Sequence, residues 1–274
     1  MIAPVVDFSW FEEHNADVIL VDSRWYLDGR SGRAAYEDGH IPGAVYIDLD
    51  TSLSGHGAPS LGRHPFPEPA VFAEGMSDGG IGDGATVLAY DDAGGVIAAR
   101  LVWMLRALGE NAALLDGGLQ SFRGILQTGT QVPTRANFSP RPWPMDRFAH
   151  IDEACDPEKI VLDARNRDRY RGEADPIDPR AGHIPGAINI PCRENLNNTD
   201  GKFLPISLLR RRFEDAGVEN GKDVISYCGS GVTACHNLLA IELAGLGRGR
   251  LFPGSWSQYS HAVDRPVSTG SEPS

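Results

Sequence analysis

The residue of this sequence best suited to covalent chemistry is Cys228, which follows an apolar run and opens the loop Cys-Gly-Ser-Gly-Val-Thr. Gly229 and Gly231 let the backbone curl around the side chain and point N–H groups towards it. A helix predicted to begin near Val232 adds the partial positive charge of its first turn. Such surroundings stabilise a thiolate and predict a nucleophilic cysteine. A buried, unreactive cysteine at the end of a strand is the alternative that the loop alone leaves open.

Other glycine-rich turns do not fit this loop. It matches neither the GxxxxGK[ST] nor the GxGxxG pattern of nucleotide-binding turns. A cysteine-based phosphatase needs an arginine at the sixth position after the cysteine to hold the phosphate in a bidentate grip. Here that position is Ala234, and the first arginine after the loop is Arg248. The loop therefore fits a sulfur atom better than a phosphate.

The elements that must position Cys228 occur twice in the chain. Residues 19–50 and 160–191 each contain a short apolar strand followed by the pentapeptide HIPGA, and residues 86–109 are echoed by 223–245. The segments VILVD, TVLAY, IVLDA and DVISY are almost continuously apolar, as parallel strands covered on both faces are. Helical segments recur between them at βαβ spacing. The sequence therefore predicts an α/β protein with two similar domains, each a mainly parallel sheet flanked by helices.

The repeat also predicts the domain boundaries. A first domain over residues 1–126 and a second over 148–274 are separated by a proline-rich linker over 127–147, which cannot form a long helix. Aligning the strand–loop–helix segments places Asp91 of the first copy opposite Cys228 of the second. We therefore expect a reactive second domain and a non-catalytic first domain.

The ordered set of two HIPGA copies, a central DGG, the loop CGSGVTA and a late GSW resembles the tandem-domain rhodaneses over essentially the whole chain. Within that family, CGSGVTA is typical of the 3-mercaptopyruvate sulfurtransferases. The resemblance implies two rhodanese-like domains and an enzyme that moves sulfane sulfur from 3-mercaptopyruvate, through a persulfide on Cys228, to a thiol or cyanide. It implies no metal and no organic cofactor.

The resemblance also implies substrate-binding residues. Arg169, in RDRYRGE, matches the family arginine that binds the donor's carboxylate, for which a planar guanidinium is well suited; a solvated surface arginine is the alternative. A second family arginine falls at Pro176 in this chain, and Arg180 is a candidate to replace it. The remaining predicted substrate-binding residues are those of the cysteine loop: Gly229, Gly231, Val232 and Thr233.

A serine–histidine–aspartate relay that eases proton transfer at the sulfur is the last feature the family implies. Ser230 matches its serine, His64 in LGRHPFP its histidine, and Asp50 in YIDLD its aspartate. For His64 a packing role in a loop is the alternative. Ser230, for its part, could simply donate its hydroxyl to the loop sulfur.

Two other functions stay open beside the 3-mercaptopyruvate reaction. The first is a rhodanese that takes thiosulfate as its donor, an alternative that the absence of arginine at Pro176 keeps open. The second is a persulfide carrier loaded by a partner protein, which would turn over free small donors negligibly.

The amino-acid composition limits the kinds of partner that the protein can bind. The formal net charge of −12 over 274 residues argues against nucleic acid or an anionic membrane. Four cysteines without CxxC or zinc-ligand spacing, and an N-terminus without a basic, apolar leader, predict a reduced, cytoplasmic protein. We expect a small-molecule sulfur donor and a thiol acceptor such as thioredoxin. The internal duplication favours a monomer.

Overall fold

The computed structural model describes residues 1–273, which form two compact units. The first unit contains residues 1–55, 66–143 and 196–203, and the second contains 56–65, 144–195 and the chain from 204 onwards. Each unit thus includes a short segment from the other half of the sequence. This differs from a simple division at the proline-rich linker, because residues 56–65 pack with the second unit.

The first unit is built on a five-stranded sheet in which every strand pair is parallel. The strand order is β1-β5-β4-β2-β3. The strands are β1 (Val5–Val6), β2 (Val18–Asp22), β3 (Val45–Tyr46), β4 (Thr86–Tyr90) and β5 (Asn111–Leu115). The helices are α1 (Phe8–His14), α2 (Gly32–Asp38), α3 (Leu49–Ser52), α4 (Pro69–Asp78) and α5 (Ala99–Ala107).

The second unit repeats this design with a four-stranded parallel sheet in the order β7-β6-β8-β9. The strands are β6 (Ile160–Asp163), β7 (Ile188–Asn189), β8 (Val224–Tyr227) and β9 (Arg250–Leu251). The helices are α6 (Arg167–Arg171), α7 (Ile206–Asp215), α8 (Ala234–Leu243) and α9 (Ser255–Tyr259).

The four apolar runs recognised in the sequence are the central strands of these sheets. In each unit two of them lie side by side, β2 against β4 and β6 against β8, with most of their residues buried. Burial of such strands on both faces explains why their sequences lack the alternation of half-exposed strands. The predicted α/β fold of two parallel sheets flanked by helices is confirmed.

The HIPGA segments have structural roles in both units. The ring of His183 stacks on Tyr170 with 3.7 Å between centroids, and the ring of His40 stacks on Tyr36 at 4.1 Å. In each case the histidine Nδ1 lies within hydrogen-bond distance of the carbonyl oxygen of the same tyrosine. The equivalence of the two arrangements explains why the histidine is present in the repeat that has no cysteine.

Candidate active site

Cys228 lies at the carboxyl end of β8, a strand whose four residues are all buried. The cysteine itself is 2% exposed. Helix α8 begins at Ala234, two residues later than predicted, and the φ of +78° at Gly231 prevents the helix from extending back into the loop. The loop between β8 and α8 therefore keeps its irregular backbone for six residues.

Backbone hydrogen bonds hold this loop around the sulfur. The N–H of Gly231 donates to Cys228 Sγ at 3.2 Å, and the N–H of Cys228 donates to Ser255 Oγ at 3.1 Å. The carbonyl of Cys228 accepts from the N–H of Trp256 at 3.0 Å. A Cβ on Gly231 would lie 2.5 Å from the carbonyl oxygen of Pro253, so this position requires glycine on two grounds.

Ser255 was missed in the sequence, although it is part of the late GSW motif. It has a φ of +51°, and no other non-glycine residue of the described chain has a positive φ. Its hydroxyl donates to the carbonyl of Phe252 at 2.9 Å while accepting from Cys228. A strained backbone of this kind persists only where the surrounding structure enforces it. Here it holds the Ser255 hydroxyl where it accepts the N–H of Cys228.

Ser230 and His64 meet in the second unit. The Nδ1 atom of His64 lies 2.7 Å from Ser230 Oγ, and the two residues are 6% and 7% exposed. The pair is separated by 166 positions in the chain and is formed because residues 56–65 belong to this unit. Asp50 lies in the first unit, where its carboxylate accepts a hydrogen bond from Trp25 Nε1 at 2.9 Å. The part of Asp50 in a relay stays a prediction.

Arg169 extends from α6 towards the cysteine loop. Its Nη2 donates to both oxygens of Asp175 at 3.0 Å and to Asp178 Oδ2 at 2.9 Å. A Cβ on Gly229, the residue after the cysteine, would lie 3.1 Å from Arg169 Nη1. The guanidinium thus lies directly beside the loop, as its predicted substrate-binding role requires.

Arg180 is bound to the backbone of its own unit. Its guanidinium donates to four backbone carbonyls, those of Tyr259, Ser260, Ala262 and Arg265, at 2.8 to 2.9 Å. All three guanidinium nitrogens take part in these bonds, which hold the backbone at the end of α9 and just after it. These bonds give Arg180 a structural role, and its part in substrate binding stays a prediction.

The last two residues of the cysteine loop, Val232 and Thr233, lie just before helix α8. Val232 is 4% exposed, and Thr233 precedes the first residue of α8. Their contact with a substrate stays a prediction. Cys235, the second residue of α8, is buried and donates its S–H to the carbonyl of Gly231 at 3.4 Å.

The corresponding loop of the first unit contains a carboxylate in place of a thiol. Asp91 is buried, and its two oxygens accept four backbone N–H bonds, from Ala93, Gly95, Ile97 and Ala98, at 2.7 to 2.9 Å. Burial raises the pKa of this carboxyl, while each N–H bond acts to lower it. The strand–loop–helix turn of this fold is therefore an anion cradle, and in the first unit the protein fills it with its own side chain.

Residues 1–273 contain no group of three or more His, Cys, Asp or Glu side chains that could hold a metal ion. None of their helices is both long and apolar enough to cross a membrane.

Comparison with known proteins identifies the family. The rhodanese-like domain family matches residues 9–124 and 148–262. The chain is 41% identical over 270 residues to a probable 3-mercaptopyruvate sulfurtransferase of Pseudomonas aeruginosa, covering 93% of each chain. It is 38% identical over 269 residues to a putative thiosulfate sulfurtransferase of Mycobacterium tuberculosis, covering 92% of this chain and 91% of that one.

Solved structures agree with these matches. The 3-mercaptopyruvate sulfurtransferase of Leishmania major has a TM-score of 0.86 at 33% identity, over 97% of this chain and 76% of that chain. The corresponding enzyme of Escherichia coli has a TM-score of 0.81 at 30% identity, over 93% and 99%. The chain belongs to the rhodanese-like family, as its motifs predict. Within that family it is an enzyme of the sulfurtransferase class.

Proposed function

We propose that this protein transfers sulfur from 3-mercaptopyruvate to a thiol acceptor or cyanide through a persulfide on Cys228. The observation that carries the proposal is the hydrogen bond that the backbone N–H of Gly231 donates to Cys228 Sγ at 3.2 Å. The self-filled cradle around Asp91 supports the idea that this turn stabilises negative charge. A thiolate, and then a persulfide anion, would be stabilised in the same way.

The first half-reaction breaks the carbon–sulfur bond of the donor. The Cys228 thiolate attacks the donor's sulfur, and the electron pair of the C–S bond passes to the carbon, which leaves as the enolate of pyruvate. A proton then converts the enolate to pyruvate, and Cys228 keeps the transferred sulfur. In this proposal the proton comes from the His64–Ser230 pair, which is buried and hydrogen-bonded, with Ser230 two residues along the loop from Cys228.

The second half-reaction regenerates the enzyme. An acceptor thiolate or cyanide attacks the outer sulfur of the persulfide, and the electron pair of the S–S bond returns to Cys228 as a thiolate. The two steps form a ping-pong cycle that needs no external oxidant, because the donor's carbon is reduced to the methyl group of pyruvate as its sulfur is oxidised to the persulfide level. We propose a thiol such as that of thioredoxin as the acceptor and a cytoplasmic location, with which the four free cysteines agree.

Arg169 binds the carboxylate of the donor in this proposal. Its guanidinium lies beside Gly229 and its side chain is 16% exposed, so a small anion can reach it. A charged donor beside a guanidinium gains directional, charge-assisted hydrogen bonds.

Thiosulfate is the second candidate donor. It is favoured by the name of the Mycobacterium tuberculosis relative, and Pro176 replaces the second family arginine. A carrier function, in which a partner protein loads Cys228, is the third candidate.

One experiment separates these functions. The reduced protein is mixed with 3-mercaptopyruvate or with thiosulfate, without acceptor, and its intact mass is followed in time. We expect a gain of about one sulfur atom, faster with 3-mercaptopyruvate, in the wild type and in Cys235→Ser, and no gain in Cys228→Ser. Cys235 is the matched control because it is a buried thiol on the adjoining helix.

Faster loading by thiosulfate would make the protein a thiosulfate sulfurtransferase. Absence of loading by both donors, with Cys228 still reduced, would favour the carrier function. Loading of Cys228→Ser would refute the assignment of the nucleophile.

A further inference from the structure

The second substrate-binding arginine of the family has no counterpart at its expected position. The segment around Pro176 instead carries Asp175 and Asp178, whose side chains are 0% and 1% exposed. Buried carboxylates require partners, since an unpaired one costs several kcal/mol. The arginines that pair with these two carboxylates therefore show which positive charges lie beside the cysteine loop.

Asp178 pairs with two arginines at once. Its Oδ2 accepts from Arg169 Nη2 at 2.9 Å, and its Oδ1 accepts from Arg63 Nη1 at 2.9 Å. One buried carboxylate thus holds two guanidiniums side by side. All three residues belong to the second unit.

Both guanidiniums lie beside the residue after the cysteine. A Cβ on Gly229 would lie 3.1 Å from Arg169 Nη1 and 3.3 Å from Arg63 Nη2. The two side chains are 16% and 27% exposed, so they are open to a small solute. The Nε atoms of both arginines are buried and have no hydrogen-bond partner among the described residues.

The backbone also positions Arg63. Its N–H donates to Ser257 Oγ at 2.9 Å, and a Cβ on Gly62 would lie 2.6 Å from the carbonyl oxygen of Gly254. The next residue, His64, is bonded to Ser230. Two consecutive side chains of one anchored segment therefore approach the cysteine loop, and preorganisation of this kind reduces the entropy that binding costs.

We infer that Arg63 is the second substrate-binding arginine of this enzyme, that it binds the donor's carboxylate together with Arg169, and that Asp178 is the residue that positions both. The inference rests on the proposed function and adds to it the group that replaces the arginine missing at Pro176. Gly229 adjoins Cys228 in the chain, and the sulfur of 3-mercaptopyruvate is only three bonds from its carboxylate carbon. A carboxylate held beside Gly229 therefore places the donor's sulfur near Cys228.

The local charges indicate how the site recognises its ligand. Asp175 and Asp178 offset the formal charges of Arg63 and Arg169, so the four groups together are neutral. Recognition must then depend on the direction of the remaining N–H groups more than on net charge. A planar carboxylate matches a guanidinium edge in a way that an ammonium group cannot reproduce.

The test compares Arg63→Ala, Arg63→Lys and the control Arg171→Ala, which removes one positive charge from a 39%-exposed side chain on α6. Each variant is assayed with 3-mercaptopyruvate, and its persulfide form is assayed with a neutral thiol acceptor. We expect KM for the donor to rise roughly tenfold to a hundredfold in Arg63→Ala, the range of a lost charge-assisted hydrogen bond. Arg63→Lys should show a smaller rise, and the acceptor step and kcat should change little.

The positioning role of Asp178 is tested by a double-mutant cycle. Asp178→Asn alone should raise KM without lowering kcat. In the Arg63→Ala background the same change should raise KM less, because part of its effect passes through Arg63.

The outcomes are distinct. A KM of Arg63→Ala and Arg63→Lys within twofold of that of Arg171→Ala refutes the inference while the proposed function stands. Fully additive effects of Asp178→Asn and Arg63→Ala refute the positioning role. A wild type that gains no sulfur from any small donor refutes the proposed function, and the inference with it.

Discussion

Replacement of Gly231 by alanine tests the cradle around the sulfur, and a matched control isolates the effect. Gly231 and Gly186 have φ values of +78° and +81°, so alanine pays the same left-handed penalty at both positions, about 1–2 kcal/mol. At Gly186 the new Cβ meets nothing within 4 Å. At Gly231 it would lie 2.5 Å from the carbonyl oxygen of Pro253, about 0.9 Å inside ordinary contact.

The clash gives the expected magnitudes. Overpacking in a rigid surrounding costs about 1–3 kcal/mol, so Gly231→Ala should lose about 2–5 kcal/mol of unfolding free energy against about 1–2 kcal/mol for Gly186→Ala. Relief of the clash moves the N–H of Gly231 away from Cys228 Sγ. A lost hydrogen bond to a charged group costs about 1.5–3 kcal/mol, so persulfide formation should slow roughly tenfold to a hundredfold.

Urea unfolding gives the stabilities, and the time course of the mass gain with 3-mercaptopyruvate gives the loading rate. Gly186→Ala should load at the wild-type rate despite its lower stability. If Gly231→Ala matched Gly186→Ala in both stability and loading, the reasoning about the cradle would be wrong.

Three further predictions concern the other residues of the site and one buried histidine. Arg169→Ala should raise KM for 3-mercaptopyruvate at least tenfold with a smaller change in kcat, measured in steady-state assays; an unchanged KM would mean that Arg169 does not bind the donor. Ser230→Ala should lower kcat at least tenfold with KM within twofold of wild type, because it breaks the bond to His64; an unchanged kcat would make the pair structural. Burial lowers the pKa of His183 below its usual 6.5, so on acidification the unfolded chain takes up a proton before the native one does. The free energy of unfolding should therefore fall from about pH 7.5 to about pH 5.5, less so in His183→Gln, and equal slopes in urea titrations would contradict this.

The sequence by itself determined the parts of this protein that depend on local pattern. The apolar runs around Val18–Asp22 and Val224–Tyr227 predict buried parallel strands, because a strand covered on both faces needs apolar residues at every position. The duplication and the loop at Cys228 were equally readable, because the strand, the glycines and the cysteine are consecutive. These features also predict the family and the class of reaction.

Tertiary structure alone decided the partners of the charged groups. Arg63 and Asp178 are 115 positions apart, and no pattern in either segment predicts that the two side chains pair. Arg180 is a second example, because it donates to backbone carbonyls. Every residue type has such a carbonyl, so the sequence could not predict which ones Arg180 would contact. A guanidinium can satisfy its N–H groups with many acceptors, so burial and approach geometry, which arise only in the folded chain, determine which arginine faces the cysteine.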